Sequence, residues 1–100
     1  MIYCFDLDNT LCTTNGARYE EAKPIITRIQ KVNQLFDSGH IIKIFTARGS
    51  GTGLDWTYLT LNQLKNWNVK HHELLIGKPE ADIFVDDKAQ NSELFDWKLS

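Results

Sequence analysis

Residues 5–11 read FDLDNTL, directly after MIYC at 1–4. The run 1–6 is short, apolar and ends on a carboxylate, Asp6; a second carboxylate, Asp8, follows two positions on. A short apolar run bounded by polar turn residues reads as a buried strand. Side chains two apart point the same way where a strand ends, so Asp6 and Asp8 share a side. An acid on the end of a buried strand needs a partner, because burying an unpaired charge is costly. A chain that opens this way places polar chemistry at the carboxyl end of a strand, the usual ligand edge of an open α/β sheet.

Outward from that strand the pattern alternates. Pro24 opens a helix over 24–37, with an apolar stripe of Ile25, Ile26, Ile29, Val32, Leu35 and Phe36, and Gly39 stops it. IIKIF (41–45) reads as a second strand and TARGSGTG (46–53) as a glycine-rich loop. A second helix spans 54–67; ELLI (73–76) and DIFVD (82–86) read as two further strands, and 89–97 as a closing helix. This order predicts an α/β fold: a Rossmann-like, mostly parallel sheet flanked by helices, in one domain over 1–100. The stretch 7–22 is a long irregular connection, and loops of that length are usually functional. On the second helix, Leu54, Trp56, Tyr58, Leu59, Leu61, Leu64 and Trp67 cover about half the circumference, wider than one core stripe needs. The excess suits core packing, a homo-oligomer contact or a roof over the site.

Composition bounds the function. The chain has 100 residues, 42% hydrophobic and 24% charged, with a formal charge of −2. A core is expected, and the lack of basic surplus argues against a nucleic-acid polymer as partner. No apolar run is long enough to span a membrane, and the N-terminus lacks the features of a secretory leader, so a cytoplasmic protein is expected. Cys4 and Cys12 are read as reduced thiols, and His40, His71 and His72 as exposed loop residues.

The strand ends gather the chemistry. The first delivers Asp6 and Asp8, the second Thr46 and then Arg48, the third runs into Lys78, and the fourth ends on Asp86 and Asp87. Oxygen-rich acids of this kind suit Mg²⁺, which takes one or two carboxylates, waters and a substrate phosphate. A lysine beside them allows a phosphate dianion to enter, and a carboxylate can then act as nucleophile.

FDLDNTL (5–11), FTARG (45–49), the lysine of GKPEAD (77–82) and FVDDKA (84–89) together resemble the motifs of the haloacid dehalogenase superfamily, phosphatase branch. The resemblance covers nearly the whole chain. It implies a sheet of order 3-2-1-4 and a Mg²⁺-dependent phosphomonoester hydrolase working through a phospho-aspartyl intermediate. By resemblance, Asp6 is the nucleophile and a Mg²⁺ ligand. Asp8 is the general acid and then base, and binds Mg²⁺ through its carbonyl. Thr46 and Lys78 hold phosphate oxygens, Asp86 is the third metal ligand, and Asp87 acts on the metal through water. Arg48 is a candidate for substrate contact or only for pairing with an acid, and the N–H groups of Leu7, Asp8 and Ala47 are further donors. An acid at position 8 separates the phosphatases from dehalogenases proper, which lack one there.

The chain has no room for the inserted cap of many relatives, so the 7–22 and 46–53 loops are the candidates for selecting substrate. Lys78 and Asp86 stand only eight apart, where many family members place a helix. This close spacing resembles deoxyribonucleotidases and small phosphatases found with capsular polysaccharide genes. It implies a small phosphorylated substrate, a sugar or polyol phosphate, with a nucleotidase or a phospho-protein phosphatase as alternatives. A catalytically silent phosphate-binding module is the alternative of another class.

Overall fold

The computed structural model covers residues 1–100. The elements run β1 (Ile2–Asp6), β2 (Cys12–Thr13), β3 (Lys23–Pro24), α1 (Ile26–Asp37), β4 (Ile41–Thr46), α2 (Thr57–Asn66) and β5 (Glu73–Ile76), with a single 3₁₀ turn at Tyr19–Glu21. β1, β4 and β5 form a parallel sheet with β4 in the centre, and β2 and β3 pair as a small antiparallel ribbon. The sheet and its two helices are the α/β fold that the alternation predicts.

The register fixes the inner face. Phe5 stands opposite Ile44, and Ile44 opposite Leu74. Phe5, Ile42 and Ile44 join Ile29 and Val32 of α1 and Leu64 of α2 in one core. Both crossovers step the same way across the sheet, so right-handed connections put both helices on one face. The opposite face stays open: Ile2, Ile41 and Leu75 are exposed there, and Lys43 pairs with Glu73 at 3.3 Å across neighbouring strands. β1 is therefore an edge strand with one solvated side, rather than a strand buried on both faces.

Two expected elements are absent. Residues 82–86 do not pair, so the order 3-2-1 is formed and its fourth place, beyond β1, is empty. β5 lies on the far edge. Reaching the fourth place in parallel sense needs about 14 Å across the sheet and about 13 Å back along it. The six steps from Ile76 to Asp82 span at most about 20–22 Å, barely that diagonal and too short once the chain bends round the sheet. Residues 89–97 are not helical either. Asn91 accepts the Glu93 N–H (2.9 Å) and Asp96 the Lys98 N–H (3.0 Å). Such local side-chain bonds compete with a helix. The tail instead packs through Phe95 and Trp97, whose rings lie 5.6 and 5.8 Å from that of Phe5.

On α2, Tyr58 and Leu61 are exposed while Thr60 and Gln63 are buried beside Leu64, so only part of the wide apolar surface faces inward. The reason lies in the site beneath. No helix is long and apolar enough to cross a membrane.

Candidate active site

The site forms where the strand ends meet. Asp6 closes β1. At the other edge of the sheet, Gly77 follows β5 at φ 104, a left-handed conformation that suits glycine. The Thr46 carbonyl accepts the N–H groups of both Gly77 (3.2 Å) and Lys78 (3.0 Å). These bonds fold the chain over the end of β4 and send Lys78 back toward β1. Its Nζ lies 3.4 Å from Asp6 Oδ1 and 4.6 Å from the centre of the Phe84 ring. Burial pushes the Asp6 carboxyl above its ordinary range, against the pull of the Lys78 ammonium and the Leu7 N–H. Asp6, Asp8, Tyr19, Lys78, Glu80 and Phe84 line an open cleft of about 270 Å³, with Ala47 at its wall.

Asp8 is placed by a tight turn. Asn9 adopts φ 61, a region in which asparagine is enriched. The Leu7 carbonyl collects the N–H groups of Thr10, Leu11 and Cys12. Leu7, Leu11 and Cys12 are thereby buried while Asp8 faces the cleft. Thr14 Oγ1 donates to Asp8 Oδ1 at 2.6 Å.

Of the two roles open to Arg48, the structure shows pairing with an acid, Asp8. The Arg48 side chain is fully buried. Nε and Nη2 donate to the two oxygens of Asp8 at 2.9 and 2.8 Å, and Nη1 donates to Thr60 Oγ1 (3.1 Å) and Gln63 Oε1 (2.6 Å). Its guanidinium carbon sits 4.7 Å from the centre of the Tyr19 ring. This explains α2: a buried cation requires polar partners, so Thr60 and Gln63 turn inward in place of Tyr58 and Leu61. Thr14, Tyr19, Thr60 and Gln63 are site residues that motif reading misses. A signal existed in the polar pair at i, i+3 with Leu64 beside it, the spacing of one helix face.

Thr46 is also buried. Its hydroxyl accepts the Arg48 N–H at 3.1 Å, and the residue is not among those lining the cleft. It shapes the turn after β4 instead of presenting a hydroxyl to the cleft.

Asp86 and Asp87 do not join Asp6 and Asp8. Both are exposed, and Asp86 accepts the Lys88 N–H at 2.8 Å in a local turn. That bond, with a second from Asp87, holds the Asp86 carboxyl below its ordinary range. The cause is the missing fourth strand, which would have carried both acids to the sheet end. No group of three His, Cys, Asp or Glu side chains is placed to hold a metal ion. The two acids that do meet in the cleft each face a cation, Lys78 at Asp6 and Arg48 at Asp8. The expected Mg²⁺ ligand set of Asp6, the Asp8 carbonyl and Asp86 is not assembled, because Asp86 lies in an exposed turn outside the cleft.

The fold is shared with a crystal structure of a structural-genomics target from Vibrio cholerae. The TM-score is 0.83 at 25% sequence identity, over 92% of this chain and 84% of that one. No protein-family model and no curated protein matches the chain.

Proposed function

We propose that this chain is a phosphomonoester hydrolase of the haloacid dehalogenase type, acting on a small phosphorylated substrate through a phospho-aspartyl intermediate on Asp6. The observation that carries the reading is the meeting of the Asp6 carboxylate and the Lys78 ammonium at 3.4 Å in an open cleft. A nucleophile and a phosphate-holding cation need that proximity, and they come from opposite edges of the sheet.

In the first step an Asp6 oxygen attacks phosphorus and the bond to the ester oxygen breaks. The alcohol leaves with a proton, which this reading assigns to Asp8. Water then attacks the phosphorus of phospho-Asp6, its proton passing to Asp8, and inorganic phosphate and free Asp6 result. Lys78 offsets the negative charge on the equatorial oxygens, which is where most catalysis of phosphoryl transfer resides. An incoming phosphate dianion competes with Asp6 for the ammonium, which frees the carboxylate to attack.

The cleft holds one partly exposed cation, Lys78, whose ion pair is with Asp6, and an acid, Glu80, while Arg48 is fully buried against Asp8. That balance favours one phosphate group over a chain of them. It supports a monophosphate of a neutral metabolite, such as a sugar or polyol, above a nucleoside di- or triphosphate.

The test is release of phosphate from a panel of sugar, polyol, nucleoside and peptide monophosphates, in Mg²⁺ and in chelator. Wild type and Asp6→Asn are compared. Turnover by wild type with loss of at least about 10³-fold in Asp6→Asn is expected. Undiminished turnover by Asp6→Asn overturns the nucleophile assignment.

A further inference from the structure

We propose that Arg48 is a positioning residue: from the buried wall of the cleft it fixes the direction of the Asp8 carboxylate, and α2 fixes Arg48 through Thr60 and Gln63. The inference rests on the phosphatase reading, since it gives Arg48 a part in that reaction without contact with substrate.

Every guanidinium nitrogen is engaged. Nε and Nη2 form a fork on Asp8, and Nη1 is shared between Thr60 and Gln63. The Tyr19 ring lies against the guanidinium group. The side chain is fully buried, so although Arg48 stands at the cleft wall its guanidinium presents no exposed surface to a phosphate. A fork on both carboxylate oxygens sets their plane as well as their distance, which a lysine point charge does not do. Thr14 approaches Oδ1 independently at 2.6 Å, so Asp8 is held from two directions. An uncommitted aspartate samples several rotamers; this one is confined to the orientation that faces the cleft.

The network extends outward from there. Gln63 accepts from Arg48 through Oε1 and donates through Nε2 to the Tyr19 carbonyl. One amide thus ties the placement of Asp8 to the 3₁₀ turn that carries Tyr19 to the cleft mouth. Gln63 and Thr60 are buried on α2, and no buried side-chain polar atom in the chain lacks a partner. A buried ion pair is weak evidence for stability. Its two-point geometry is what a reaction needs, because a misplacement of about 1 Å costs about 10²-fold in rate.

The experiment is a double-mutant cycle on p-nitrophenyl phosphate, whose leaving group departs without a proton, so that Asp8 is needed only as the base of the second step and the residual kcat of Asp8→Asn reads hydrolysis of phospho-Asp6 without that base. Arg48→Lys is made in wild type and in Asp8→Asn, with folding checked by circular dichroism. In wild type, kcat is expected to fall by about 10- to 100-fold with KM changed less than about twofold. In Asp8→Asn the same substitution is expected to change kcat by less than about twofold. Equal fold losses in both backgrounds overturn the positioning role and leave the phosphatase reading standing. Absence of turnover by wild type on every phosphate ester overturns the phosphatase reading itself. If Arg48→Lys does not fold, Thr60→Val with Gln63→Leu keeps the Asp8 fork but frees its far end. A loss of kcat confined to the background with Asp8 is then expected, and no loss overturns the proposal.

Discussion

Lys78 Nζ lies 3.4 Å from Asp6 Oδ1, although the two residues leave the sheet from opposite edges. The approach depends on main-chain bonds from Gly77 and Lys78 to the Thr46 carbonyl, which bend the chain over the central strand. A turn of three residues thereby completes a site that no single element contains.

Removing the Lys78 charge should weaken both binding and chemistry. Lys78→Met is expected to lower kcat/KM by about 10²-fold and to weaken competitive inhibition by inorganic phosphate. Lys78→Arg should not restore activity fully, because a planar fork replaces a compact charge. Steady-state kinetics with phosphate as inhibitor measures both effects; unchanged inhibition by phosphate in Lys78→Met would remove this residue from the site.

Asp6 should cost the fold stability at neutral pH. Burial raises its carboxyl above the ordinary 3.8, so between that value and the raised one the folded chain holds a proton that the unfolded chain has released. Stability from this group is present below pH 3.8 and is lost as pH rises through the folded value. Asp6→Asn is therefore expected to raise Tm at pH 7, with the gain shrinking toward pH 3. A lower Tm for the variant at pH 7 contradicts the sign, which is the usual one for a functional residue held at the expense of stability.

The two thiols should behave differently. Cys4 is exposed and Cys12 is buried. Burial pushes the Cys12 thiol up to about 11 from an ordinary 9.0. A thiol reagent at pH 8 is expected to modify one cysteine in the folded protein and two after denaturation. Because the folded chain keeps the Cys12 proton in the window where the unfolded chain loses it, stability should fall by about 2–3 kcal/mol between pH 9 and about 11. Rapid modification of both thiols in the folded state would show that Cys12 is not enclosed.

Gly49 and Gly53 provide a paired test of the loop after β4. Both have positive φ, 84 and 72 respectively. A Cβ at Gly49 would run into the Leu54 carbonyl oxygen, whereas one at Gly53 meets open space. Gly53→Ala is expected to cost about 1 kcal/mol from conformation alone. Gly49→Ala should cost at least about 2 kcal/mol and disturb Arg48 beside it. Denaturant unfolding compares the two, and equal costs would mean that the loop yields freely around Leu54.

The α/β class and the three strands that pair in parallel were legible in the sequence, because apolar periodicity and glycine punctuation are local properties; the strand order came only with the family resemblance. The sequence also singled out Asp6, Asp8 and Lys78, since each ends or follows a strand and its place in the sheet comes with the strand. It did not reveal the fate of the polar groups between them. Arg48 and Thr46 stand in a motif that suggests substrate contact, and both are buried. Thr60 and Gln63 look like ordinary helix residues, and they complete a buried ion-pair network. Asp86 and Asp87 read as metal-site acids at the end of a fourth strand, yet they remain apart from Asp6 and Asp8. In each case the outcome depends on chains distant in sequence competing for the same space and the same donors. A buried guanidinium needs partners from another helix, and a fourth strand needs a connection long enough to reach its place. The tertiary structure decides both.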